Sequence, residues 1–278
     1  MIYLLLAILS SAMVSVTMRL STGRVSGNVS MLAMNYLMCM TIAGVLTGSG
    51  NLLPQSSSLP ATLAMGAVNG VLYLLSFVLL QLNVKKNGVV LSATFMKLGL
   101  LVPMVTSVLF FREVPQLRQV LGFLIAVAAI LLINLEKGTS SVSFKLGLIL
   151  LLLGGGSADA MSKVYEELGD PALSEQFLLY TFAMAFLLCV GLVIWKKQRF
   201  GRNEVMFGLL IGIPNYFSSY FLLRALEDIA AVIAYPSYSV ATIFAVTIVG
   251  VLAFRERLGR RQWLALGIIL VALVLLNM

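Results

Sequence analysis

From Val25 to Val84 the chain carries no Asp, Glu, Lys, Arg or His, and the polar breaks elsewhere are about ten residues or shorter. An apolar run of about 20 residues, at about 1.5 Å rise per residue, is the length of α-helix that crosses the hydrocarbon of a bilayer. Such runs fall near 2–20, 29–49, 61–82, 88–111, 115–135, 145–165, 175–195, 204–226, 229–254 and 261–277. Between them stand compact turns: Gly48–Pro60, Lys85–Asn87, Arg112–Glu113 and Glu136–Lys145. The pattern predicts an all-α polytopic membrane protein of ten transmembrane helices. The first run has neither a basic leader nor an A-x-A cleavage site, so it is expected to be a retained helix.

Composition excludes the other classes. Hydrophobic residues make up 60% of the 278 and charged ones 11%, with a mean hydropathy of +1.02. A soluble domain carries about 25% charged residues, so this chain could not cover its apolar exterior in water. Disorder, collagen and disulfide scaffolds fail on the same figures. There is no His, and the two cysteines, Cys39 and Cys189, fall inside apolar runs as expected free thiols. No catalytic residue, metal or cofactor is expected, and no Walker-type loop suggests ATP-driven pumping.

The net charge of +8 is distributed as topology. Basic residues cap the ends of apolar runs, with no aromatic–basic alternation to suit a nucleic acid. Ten crossings put both termini on one face. Of the 19 basic residues, fourteen then lie on the face opposite the termini, four lie with the termini, and Lys97 is left inside a run. Cytoplasmic loops are rich in Lys and Arg. The expectation is an integral protein of the cytoplasmic (plasma or inner) membrane with its termini outside.

The chain also repeats itself. Residues 110–134 align without gaps on 253–277, with 10 identities in 25 that include Arg112/Arg255, Glu113/Glu256, Arg118/Arg261, Gln119/Gln262 and Asn134/Asn277. Earlier, Arg19 pairs with Lys163, Ser30 with Ser174, Tyr36 with Tyr180 and Met40 with Met184. Two homologous units follow, 1–138 and 143–278. Each has five crossings, an odd number, so the second enters the membrane inverted, as in secondary transporters whose substrate site lies near the midplane.

Phe111, Glu113, Gln119 and Gly122, answered by Phe254, Glu256, Gln262 and Ala265, resemble the ten-helix EamA-like branch of the drug/metabolite transporter superfamily. The sequence departs from that pattern where Arg112 and Arg255 stand in place of a glycine, and at Ala265. The resemblance implies export of amino acids, related metabolites or amphipathic compounds. Glu113 and Glu256 each sit just before a helix start, where a carboxylate accepts exposed N–H groups. They are expected to cap the helix that follows them.

Two ionisable residues lie deep. Lys97 is about 14 Å beyond Gly88 and Asp159 about 21 Å beyond Lys145 along their helices. Charges at that depth mark functional sites by default. Lys97 suits a carboxylate or phosphate, and Asp159 an amine or a carried proton; a zwitterion would suit both. A buried ion pair that only fixes packing is the other reading. Arg19, Lys163 and Arg224 are near run ends and are expected to snorkel to the interface. Asn35, Tyr36, Tyr73, Tyr180, Asn215, Tyr235 and Tyr238 form a second layer of candidate substrate-binding residues, while Tyr3 and Tyr165 read as interfacial anchors. Pro103, Pro236 and Gly155, in the run Gly154–Gly156, are candidate hinges.

The expected function is secondary transport of a small polar metabolite, an amino acid or a related compound, by alternating access. Its partners are that substrate, with proton coupling through Asp159 as an option, and the lipid bilayer. The chain would act as a monomer or homodimer. The alternative is a non-transporting scaffold or lipid-handling protein.

Overall fold

The computed structural model describes residues 1–87, 92, 95–134, 144–255 and 259–277. Among them there is no strand. The helices are α1 (Ile2–Ser21), α2 (Asn28–Thr47), α3 (Leu59–Asn87), α4 (Leu101–Phe110), α5 (Leu117–Asn134), α6 (Lys145–Leu168), α7 (Ser174–Trp195), α8 (Arg202–Leu226), α9 (Ala231–Phe254) and α10 (Arg260–Asn277). Eight of them are long and apolar enough to cross a membrane. The helical run of α4, Phe95–Phe110, and that of α5, Leu117–Leu132, are apolar but shorter over the described residues.

Helix ends follow local chemistry. Gly48, at φ 81°, stops α2 with its N–H on the Gly44 carbonyl. Pro103 explains the start of α4: it has no N–H for the Gly99 carbonyl, and the turn just upstream, Leu98–Leu100, tightens to 3-10 geometry. Gln119 accepts the Gln116 N–H at 2.8 Å and Gln262 accepts the Gly259 N–H at 2.9 Å. Each is the third-residue half of a capping box, so the repeated glutamine of the sequence motif starts α5 and α10 alike.

The chain forms two compact units, each drawing helices from both halves of the sequence. One, the α2–α7 unit, comprises Ile2–Leu74 and Val164–Ala225; the other, the α5–α10 unit, comprises Leu75–Lys163 and Leu226–Met278 together with Met1.

In the α2–α7 unit small residues let backbones meet. A Cβ on Gly66 would come within 2.8 Å of Tyr180 Cβ on α7, and one on Gly70 within 2.7 Å of Met184 Cβ. In α8, Gly208 and Gly212 meet Met34 and Met38 of α2 in the same way. These are two small-xxx-small stripes of the kind that drive helix contact in lipid.

In the α5–α10 unit the core is Phe123, Ala126, Ala129 and Ile130 of α5 against Leu266, Ile269, Ala272 and Leu276 of α10, with Leu98, Leu100 and Val240 beside them. A Cβ on Gly122 would stand 3.0 Å from Leu275 Cβ and 3.1 Å from the Ala272 carbonyl. The motif's glycine is therefore a packing residue. Gly99 and Gly156 bring α6 against the start of α4, where a Cβ on either would press on the other's backbone. Gly154 is as tight against Leu79, whereas Gly155 has nothing nearer than 3.9 Å.

Candidate functional site

Three buried groups converge on Glu113. Lys163 Nζ lies 2.9 Å from its Oε1, the two side chains being 3% and 14% exposed. The N–H groups of Ala231 and Val232 donate to its two oxygens at 3.1 and 3.0 Å. Glu113 does cap a helix, but the helix is α9, not the α5 that follows it in sequence. This corrects the expected partner. Lys163 is likewise not a snorkelling residue: it is buried, paired with Glu113, and set 5.9 Å from the Phe111 ring centre. Glu256, the counterpart of Glu113, lies outside the described residues.

Arg112, beside Glu113, has φ 55° and Arg255 has φ 53°. These are the two positions where the sequence motif leads one to expect glycine, and the backbone is left-handed at both. Here arginine holds a conformation that favours glycine, at the C-terminal ends of α4 and α9, where positive charge is favoured by the helix dipole.

The α5–α10 unit brings together most of the deep candidates. Lys97 and Asp159 are both half-buried in this unit, with no contact ion pair of the Lys163–Glu113 kind among their described contacts. Tyr235 is buried, and its hydroxyl donates to the Asp159 backbone carbonyl at 2.5 Å, tying α9 to α6 at the aspartate. Pro236 next to it lies inside α9 and is buried. One residue further, Ser237 Oγ accepts from Asn277 Nδ2 at 3.2 Å. Tyr238 is half-buried on the same helix.

The α2–α7 unit gathers the amide and aromatic candidates. Asn215 Nδ2 donates to Asn35 Oδ1 at 3.2 Å, and Cys39 Sγ donates to the Gly212 carbonyl at 3.3 Å. Cys39 and Cys189 are both free and buried. Tyr36 and Tyr73 meet edge to face at 6.1 Å, and both pack on Phe182, at 6.2 and 5.9 Å. The Tyr73 hydroxyl and Ser219 Oγ are 3.3 Å apart. Tyr180 is only half gathered in: its hydroxyl reaches out to the Leu52 carbonyl at 2.6 Å and ties down the α2–α3 turn. Tyr165 is no interfacial anchor. It is 2% exposed, stacked on Phe177 at 4.0 Å, with its hydroxyl donating to the Asp170 carbonyl.

Some residues of this cluster were not singled out from the sequence. Phe182 is its centre, and Pro214 breaks the α8 hydrogen-bond ladder immediately before Asn215. A signal was available: Gly66-x-x-x-Gly70 and Gly208-x-x-x-Gly212 recur at an offset of 142, so the helices carrying Tyr73 and Asn215 pack alike in the two halves.

Apolar helices in a duplicated set, deep opposite charges and polar aromatic clusters on membrane-length helices define an integral membrane protein of the transporter class. The chain belongs to the EamA-like transporter family, which it matches over residues 1–135 and again over 145–278. Membership of the drug/metabolite transporter superfamily follows, and with it a small-molecule substrate and a bilayer environment. An uncharacterized protein of Haemophilus influenzae is 26% identical over 276 residues, covering 95% of this chain and 93% of that one. A crystal structure of a protein 15% identical superposes with a TM-score of 0.75, over 99% of this chain and 94% of the other, and shares its fold.

Proposed function

We propose that the protein is a secondary transporter that exports a small polar metabolite, an amino acid or a related compound, across the cytoplasmic membrane by alternating access of its repeats, 1–138 and 143–278. The observation that carries this reading is the pair Lys97 and Asp159. A buried ion pair is worth its desolvation only when its geometry closes. Opposite charges carried by one compact unit and left unclosed favour a third group that brings both signs. Lys97 then takes the substrate carboxylate, and Asp159 takes the amine or a proton.

In the same unit Tyr235 and Tyr238 supply hydroxyls and ring faces to the rest of the substrate, while Asn35, Tyr36, Tyr73, Tyr180 and Asn215 of the α2–α7 unit form a polar and aromatic cluster of their own that suits a polar metabolite. Pro103, Pro236 and Gly155 are the points at which helices bend. The termini face outward, the basic loops face the cytoplasm, and the chain works as a monomer or a homodimer without catalysing a covalent reaction. A thermal-shift screen of metabolites on the purified protein, followed by flux of each stabilising compound in proteoliposomes, tests the proposal. Ligands that bind the folded state raise its apparent stability. Flux of such a compound above that of empty vesicles is expected. Stabilising ligands without any flux would favour the scaffold or lipid-handling alternative.

A further inference from the structure

Between the α1–α2 turn and the α7–α8 turn lies an open cavity of about 330 Å³ lined by Ser26, Gly27, Lys197, Gln198, Arg199, Gly201 and Glu204. That volume lies at the small end of the range for ligand sites, about 300–1,000 Å³. All of its walls belong to the α2–α7 unit.

One oxygen of its acid is already engaged. Glu204 Oε1 accepts from the Ser26 N–H at 2.9 Å, the Ser26 hydroxyl at 3.0 Å and the Gly27 N–H at 3.2 Å. Gln198 Oε1 is turned to the Ser30 N–H at 3.3 Å. Positive charge outweighs that carboxylate: Lys197 and Arg199 stand in the wall, both exposed, with Lys196 and Arg202 exposed on either side.

Lys197 is held there against its own backbone preference. The Lys197 N–H donates to the Ile194 carbonyl at 3.1 Å and the Gln198 N–H to the Val193 carbonyl at 3.0 Å, the Schellman closure of a helix. The left-handed residue of that closure is ordinarily glycine, and here it is a lysine at φ 51°. Strain of this kind persists where the surrounding structure over-determines it, and it clusters at functional sites. The flanks add a depth marker: Trp195 is 77% exposed and Phe200 46%, as expected of aromatic side chains at headgroup level.

We propose that this cavity binds the phosphate of an anionic phospholipid headgroup, with Lys197 and Arg199 as its ligands and Trp195 and Phe200 seated in the adjoining lipid. The purified full-length protein in a neutral detergent is titrated with short-chain phosphatidylglycerol, short-chain phosphatidylcholine and inorganic phosphate, with binding read by thermal shift. Lys197→Gly keeps the left-handed turn, so a variant carrying it with Arg199→Gln removes both charges without endangering the fold.

Phosphatidylglycerol is expected to raise the melting temperature, and the double variant to weaken that response by about thirtyfold. The charge-removal control Lys145→Gln, on an exposed lysine of the other unit, should leave it unchanged. Equal responses to phosphatidylcholine, an undiminished response in the double variant, or equal weakening by Lys145→Gln would each overturn the site. A response to inorganic phosphate matching that to phosphatidylglycerol would overturn the lipid assignment in favour of a small-anion site.

Discussion

Removing the Glu113 carboxylate would strand three donors at once, Lys163 Nζ and the N–H groups of Ala231 and Val232. Breaking a buried pair from one side costs about 3–5 kcal/mol, because the remaining charge stays buried. Glu113→Ala is therefore expected to lower stability by that amount in detergent denaturation, and adding Lys163→Met should recover part of it. A midpoint equal to wild type would exclude the pairing. Arg112 and Arg255 give a finer test. A left-handed non-glycine residue costs about 1–2 kcal/mol, and a charge at a helix C-terminus returns about 0.3–1 kcal/mol. Glycine relieves the first term and loses the second, adding about 0.5–1 kcal/mol of its own chain entropy. Alanine keeps the strain and loses the charge. Arg255→Gly should thus melt near wild type and Arg255→Ala below it; the reverse order would remove the strain argument.

At the scale of helices, the close approaches rank the glycines. A side chain on Gly70 would run into the Thr181 carbonyl and Met184 Cβ, and one on Gly212 into Met38 and the Asn35 carbonyl. Overpacking of this kind costs about 1–3 kcal/mol or more, so Gly70→Leu and Gly212→Val should each lower the melting midpoint markedly. Gly155 has open space, so Gly155→Ala should keep or raise stability, by up to about 1 kcal/mol. If α6 bends there, the same substitution slows transport at unchanged stability; unchanged transport removes Gly155 from the hinge set.

The helices themselves were legible in the sequence because bilayer thickness fixes their length, and every break is a turn residue or a charge. Their partners were not. Glu113 lies 118 residues from Ala231, which it caps, and nothing in the local pattern distinguishes that N-terminus from the nearer one of α5. Lys163 and Tyr165 looked interfacial because they stand near the end of a span. They are buried because Glu113 and Phe177 come from elsewhere in the chain to meet them.

Across the whole molecule, duplication was plain in the paired charges and amides. What it could not reveal is that each compact unit takes helices from both halves, since an internal repeat records ancestry rather than packing. The candidate site was partly legible for the same reason: depth along a span marks Lys97 and Asp159 as costly, whereas Phe182 is one apolar residue among many. The proposed orientation rests on the distribution of basic residues among the loops. Cys39 and Cys189 are buried, so a single cysteine introduced at Ile2 should react with an impermeant thiol reagent on intact cells, and one introduced at Lys196 should not. The opposite pattern would invert the topology.

The deep pair is tested most directly by uptake into proteoliposomes with Lys97→Ala and Asp159→Asn, using a compound that the wild-type protein moves. With both variants folded and inserted as wild type, loss of flux in each is the predicted result. Wild-type flux with Lys97→Ala would contradict a substrate role for the charge at the centre of the proposal.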